Sequence, residues 1–279
     1  MRVSDRLYRG VIFIVLAASA VVVLLPFLWM VSTSLKPDLR AVYQFPPQWI
    51  PDPITWENYP TAWNSAPFSR YLFNSVFTSV TVVAIQLING CLCAYAFSWL
   101  KFPGRDALFL LFLAVLMVPS EVTIVPNYVT LSRAGALNSY WALIVPFTAT
   151  AFGTFLIRQA FLQVPGDLVD AAVVDGASHL QILRHIMIPL SVPTLLTFML
   201  LNFSWRWNDY FWVLIVTNSD LLRTLPVGVI AMRAGPEGGS NWHYMMAATV
   251  IVLLPILALF IAAQRYFVEG ISRTGLRGG

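Results

Sequence analysis

The sequence predicts an all-α membrane protein with six transmembrane helices and a two-helix cytoplasmic loop between spans four and five. Three observations carry this. The chain is 58% hydrophobic and only 11% charged, whereas soluble domains carry about 25% charged residues. Six long apolar runs recur along it. One polar island of roughly 25 residues, 165–189, interrupts them. A net charge of +4 would point to nucleic acid in a soluble protein. In a membrane protein it reflects Lys- and Arg-rich cytoplasmic loops, so nucleic-acid binding is set aside.

Taken in order, Arg2, Arg6 and Arg9 precede an apolar run over 11–31, which is too long for the h-region of a signal peptide and reads as a retained first span. Pro26 predicts a bend in it. Residues 36–70 carry many prolines together with Trp49, Trp56 and Trp63, and read as an ordered, non-helical external loop with interfacial aromatics. The second span covers 71–99, where Gly90, Ala94 and Ala96 offer a small-residue face for close packing. Cys91 and Cys93 point about 200° apart on that helix, so a disulfide between them is excluded and a buried, inert role is expected.

A basic turn, Lys101 to Arg105, leads into a third span over 107–125. Glu121, near its end, is costly in lipid and should face the bundle interior or an interface. A short turn over 133–139 precedes the fourth span, 140–157, in which Pro146 predicts a kink.

In the polar island, Asp167 is positioned to cap a short helix, with Asp170 at its third position. Asp170-Ala171-Ala172 opens a small-residue turn that closes after Asp175 at Gly176. Ser178 and Gln181 then form a capping box for a second helix running toward Ile186 and Pro189. An ordinary capped loop between membrane helices is the competing reading. An Ala-rich surface helix bounded by glycine equally suits docking into another protein's groove.

The fifth span, 189–216, gathers Asn202, Trp205, Arg206, Trp207, Asn208, Asp209 and Tyr210. Spacings of four and seven put Asn202, Arg206 and Asp209 on one helical stripe, with the two charges at pairing distance. Such groups must face each other or water, so they either hold the bundle together or line a route through it. An external loop over 218–241 precedes a last span, 244–263, containing Pro255. Ten of the 17 Lys and Arg residues fall in the termini, the 101–105 turn and the 158–187 loop, which places those segments in the cytoplasm.

The spacing of the polar island resembles the cytoplasmic loop of binding-protein-dependent ABC importer permeases: Glu-Ala-Ala, three residues, Gly, nine residues, Ile-x-Leu-Pro. Here Asp170-Ala171-Ala172, Gly176 and Ile186-Met187-Ile188-Pro189 keep every spacing, with Asp170 for Glu and Ile188 for Leu. Asn74-Ser75, Ala94-Tyr95-Ala96, Phe102-Pro103-Gly104-Arg105 and Trp207-Asn208-Asp209-Tyr210 look like the carbohydrate branch, maltose-type and glycerol-phosphate-type. The ending Gln264 to Gly270 also resembles the family's. The resemblance implies a bacterial inner-membrane permease that is not an enzyme, forming half of the pathway for a sugar or related small polar solute.

It implies as partners a second, related permease, two cytoplasmic ATPase subunits and an extracytoplasmic binding protein. ATP and magnesium would lie on the ATPase, and no cofactor on this chain. Asp167, Asp170, Ala171, Ala172, Asp175, Gly176, Ile186 and Pro189 would form the ATPase-coupling set. In it Asp170 orients the helix 168–175, the alanines allow close docking, Gly176 makes the turn, and Pro189 fixes where the next helix leaves the membrane face. Asn202, Trp205, Arg206, Trp207, Asn208, Asp209 and Tyr210 would line the pathway. The implied division is 1–35 as N-terminus and first span, 36–70 as external loop, 71–267 as permease core and 268–279 as cytoplasmic tail. A self-sufficient secondary transporter or channel is the alternative, but no acidic residue occurs mid-span to couple ions. A membrane enzyme would need a catalytic cluster at one depth, and His179, His185 and His243 are scattered.

Overall fold

The computed structural model describes residues 3–232 and 241–275, with side chains over 8–232 and 241–264. The described residues of Met1–Phe68 and Gly228–Pro255 form one compact unit, and those of Ser69–Val227 and from Ile256 onward a second.

In the first unit, α1 (Val3–Ser34) is a single helix that runs through Pro26 without interruption. Its apolar stretch is exposed from Tyr8 to Leu28, the surface of a helix meant for lipid or another chain rather than for its own core, and only its end, Ser32 to Ser34, is buried. The segment after it folds back onto the helix end. There Asn58 Nδ2 donates to the carbonyls of Ser34 and Lys36, both at 2.8 Å, and the Leu35 carbonyl accepts from Thr55 N at 3.0 Å. These bonds satisfy carbonyls that a helix C-terminus leaves without partners. Trp29 and Trp49 meet edge to face at 5.0 Å. The expectation of a helix-free loop over 36–70 is corrected here. Short helices α2 (Leu39–Tyr43) and α3 (Asn58–Asn64) lie within it, α2 being capped by Asp38, because α2 fits between Pro37 and Pro46 and α3 holds Pro60 in its first turn, where the missing N–H has no intrahelical partner to lose.

The second unit is built on α4 (Phe68–Trp99). With it are α5 (Arg105–Ala114), α6 (Ser120–Arg133), α7 (Tyr140–Ile144), α8 (Ala151–Phe161), α9 (Gly166–Val174), α10 (His179–Leu190), α11 (Val192–Trp207) and α12 (Phe211–Val216), while α13 (Leu225–Ala231) begins in this unit and ends in the first. The last helix, α14 (Trp242–Gly275), passes Pro255 unbroken. Among the described residues three helices are long and apolar enough to cross a membrane. Three bent pairs bring the number to six if each is one span.

The third predicted span is one of these pairs, not a straight helix. The chain turns 95° between Met117 and Ser120, because Val118 precedes proline and is held extended. Glu121 therefore falls in the first turn of α6, where an acid suits the helix dipole. It is exposed, so of the two places expected for it, the interior or an interface, it does not take the chain's own interior. The Pro146 kink is observed as a 45° bend. The carbonyls freed there are taken by α4: Gln86 Nε2 donates to Phe147 O at 2.7 Å and Asn89 Nδ2 to Thr148 O at 3.1 Å. The fifth span is also broken, by 80° at Ser191 and again after Trp207. Cys91 is buried, but Cys93 is exposed, contrary to the burial expected of both. Gly235, Pro236, Gly238 and Gly239 of the external loop lie outside the described residues.

Two apolar clusters hold the second unit. One joins Cys91, Ala94 and Tyr95 of α4 to Ile157 and Phe161 of α8, Ile182 and Met187 of α10, and Phe198 of α11. The other joins Ala142 and Leu143 of α7 to Trp212, Val213 and Val216 of α12.

Candidate functional site

The polar island is a rigid two-helix loop. Gly176 sits at φ +81°, and the α9 terminus closes with Ala177 N bonded to Ala172 O at 2.9 Å and Gly176 N to Val173 O at 3.0 Å. This is a Schellman-type ending, which glycine fits without Cβ strain. The capping box that opens α10 is observed in full. Ser178 Oγ accepts from Gln181 N, and Ser178 N donates to Gln181 Oε1 at 2.8 Å.

The acids are placed differently from expectation. Pro165, not Asp167, is the N-cap of α9, with no side-chain bond. Asp167 lies in the first turn, where its charge still favours the helix dipole. Asp170 is exposed mid-helix, so it does not cap. The helix starts two residues before the predicted Leu168, since proline is well suited to helix entry.

Pro189 does not end the following helix either. The helix widens into a π-turn over Leu183–Met187, runs through Pro189 and breaks at Ser191. The wider turn accommodates a proline that lacks an N–H and would press on the carbonyl four residues back.

The loop has two faces. Val169, Ile182, Leu183 and Met187 are buried against the bundle, with Ala172 and Ile186 packed beside them. Leu168, Val173, Val174 and Leu180 are exposed, and Ala171, Asp175 and Gly176 share the exposed surface. A shallow open groove runs between α9 and α10, lined by Ala172, Gly176, Ala177, Gln181 and His185.

The second group lies where α11 ends. Arg206 Nη2 is 2.9 Å from Asp209 Oδ2, with side chains 18% and 14% exposed. The guanidinium lies 3.6 Å from the Phe147 ring centroid. Asp209 Oδ1 accepts from Trp212 N at 3.3 Å, so the carboxylate also starts α12. The seven candidates do not share one face. Asn202 and Trp207 are buried, and Asn202 Nδ2 is bonded back to Phe198 O at 2.9 Å. Trp205 and Asn208 are exposed, with Trp205 6.1 Å from Phe152. Tyr210 packs against the α7–α12 cluster.

Several participants were not legible as such in the sequence. The α4 end is tied to three other elements. Trp99 Nε1 donates to Phe161 O at 3.2 Å. Arg158 Nε donates to Phe97 O at 3.2 Å and its guanidinium covers Phe109. Tyr95 Oη lies 3.0 Å from His179 Nδ1. At the other end, Asn74 Nδ2 donates to the carbonyls of Leu221 and Arg223, and Asn74 Oδ1 accepts from Tyr140 O–H at 2.6 Å. A buried polar residue in an apolar run was the one available signal for Asn74 and Gln86.

Residues 86–273 match the model of the binding-protein-dependent transport system inner membrane component. The chain is 35% identical over 256 residues, 90% of itself and 91% of the relative, to the sn-glycerol-3-phosphate transport system permease protein UgpE of Salmonella typhi. It is 36% identical over 257 residues to that of Escherichia coli O157:H7, again with 90% and 91% covered. In structure it is similar, with a TM-score of 0.84 and 25% identity, to a chain of a bacterial ABC transporter involved in the import of the acidic polysaccharide alginate. That match covers 96% of this chain and 99% of the other. A chain of the MetNI methionine ABC transporter shares the fold alone, at a TM-score of 0.55 and 16% identity over 75% of this chain and 97% of that one. With the six-span pattern and the two-helix loop, these matches make the chain a member of the family of binding-protein-dependent transport system inner membrane components, the permeases of ABC importers.

Proposed function

We propose that this permease works as one half of a heterodimeric pathway, driven by two cytoplasmic ATPase subunits that grip the loop 165–190. Its solute is a sugar or related small polar compound, glycerol phosphoesters included, delivered by an extracytoplasmic binding protein. The observation that carries this is the two-faced loop: exposed Leu168, Val173 and Val174 outward, Val169 and Ile182 buried inward. A short helix with one face anchored and the other bare moves with whatever holds it. Closure of the ATPase pair pushes α9 and α10 together, and the bundle alternates between two packed states. The positive-inside distribution puts the loop and both termini in the cytoplasm, where ATP and magnesium bind to the partner subunits.

The Arg206–Asp209 pair stabilises the broken fifth span in the closed state. Arg206 is already satisfied by Asp209 and Phe147, so it offers no free charge to an anionic solute until the span moves. The exposed Trp205 and Asn208 are the pathway-facing members of the group.

The test is reconstitution of the assembled transporter with ATP inside vesicles and binding protein outside. Val174→Asp should leave membrane insertion intact and abolish copurification of the ATPase subunits. Retained copurification, or labelling of a Val173→Cys variant by an impermeant thiol reagent from the outer face, would overturn the reading.

A further inference from the structure

The loop meets the bundle mainly through apolar contacts, and apolar contact is non-directional. Val169, Ile182, Leu183 and Met187 resist separation from α4, α8 and α11, but they resist sliding poorly. One directional bond crosses this surface from α4. Tyr95, 5% exposed and in the final turns of α4, places Oη 3.0 Å from Nδ1 of His179. Their rings meet edge to face at 5.9 Å.

Both partners are held from behind. Tyr95 is embedded between Ala94 and the side chains of α8 and α10. His179 is the first residue of α10, directly after Ser178, whose capping box with Gln181 fixes the helix start. The bond therefore joins the buried Tyr95 to an exposed side chain whose backbone is fixed at the start of α10. The α4 end that carries it is also bonded to α8 through Trp99 and Arg158.

We infer that Tyr95 is a positioning residue for energy coupling: its hydroxyl holds the His179 imidazole, and through it α10, in register with α4. This rests on the importer reading above. With the bond made, a displacement of the loop is delivered to α4 and onward to α8. Without it, α10 slips over the apolar surface, and ATP is hydrolysed with less solute moved. Tyr95 touches neither ATP nor solute in this role.

The experiment uses the whole transporter in vesicles and reads the ratio of solute taken up to ATP hydrolysed. Tyr95→Phe keeps the ring and its packing and removes only the hydroxyl. The ratio should fall about fivefold, the effect of losing one neutral hydrogen bond. His179→Ala should fall similarly, and the double variant no further, because both remove the same contact. His179→Asn, which sets an acceptor where Nδ1 stood, should restore most of the ratio. Amide hydrogen exchange over 179–187, measured without ATP, should quicken by a similar factor in Tyr95→Phe. A coupled wild type with an equally coupled Tyr95→Phe and unchanged exchange overturns the role of Tyr95 alone. A wild type that moves no solute on ATP overturns the importer reading itself. A folding defect would lower the amount of transporter without moving the ratio.

Discussion

Phe198 of α11 packs so close to Gly153 on α8 that a Cβ placed on that glycine would stand 2.1 Å from Phe198 Cε2. Phe198 is fully buried and cannot swing away. Gly153→Ala should destabilise the transporter by about 1–3 kcal/mol, the usual cost of overpacking. Gly153→Ala with Phe198→Leu should recover part of it. Thermal unfolding of the detergent-solubilised complex checks both, and an additive pair would count against the contact.

Gly176 presents the opposite case. Nothing lies within 4 Å of a Cβ there, but φ is +81°, so the obstacle is backbone strain alone. Gly176→Val should cost about 1–2 kcal/mol locally and abolish stimulated ATP hydrolysis and uptake while insertion persists. Gly176→Asn, which tolerates this backbone region, should hold the turn much better. Normal uptake by the valine variant would argue against docking through this turn.

The Arg206–Asp209 pair is mostly buried, and removing one partner leaves an uncompensated charge. Asp209→Ala should cost about 3–5 kcal/mol. Replacing both, as Arg206→Met with Asp209→Leu, should cost far less. Thermal unfolding separates these outcomes, and uptake per folded complex then shows whether the pair also acts in transport. A double variant that is stable but slow would give it a direct transport role.

Lys36 is fully buried, with Nζ 4.2 Å from the Trp29 ring centroid. Burial lowers its pKa below the ordinary 10.5. The unfolded chain therefore binds more protons between the folded value and 10.5, and stability rises with pH through that window. Below the folded value the full cost of the buried charge is present. Unfolding midpoints should climb as pH rises toward 10.5, and Lys36→Met should flatten the slope without loss at neutral pH. An equal slope in the variant would show that other groups set it.

Much of the loop was legible because its signals are local. Ser178 with Gln181 sets a helix start, and Gly176 sets a left-handed turn, whatever lies around them. Proline is a weaker local signal: the chain bends by 45° after Pro146, but α1 and α14 run on through Pro26 and Pro255. Asp167 misled for a related reason. A cap residue and a first-turn residue have the same composition, and Pro165 two positions earlier decides between them.

Composition and apolar run length determined by themselves that the chain is a helical membrane protein, and the local signals within 165–189 that it carries a two-helix loop; the spacing from Asp170 to Pro189 resembles the permease family. Those features depend on water, lipid and near neighbours in the chain. Only the tertiary structure decided that Gln86 and Asn89 serve the carbonyls freed near Pro146, that Gly153 yields its surface to Phe198, and that Tyr95 reaches His179. Each joins residues 45 or more positions apart in the chain, and one-dimensional periodicity carries no record of which helices become neighbours.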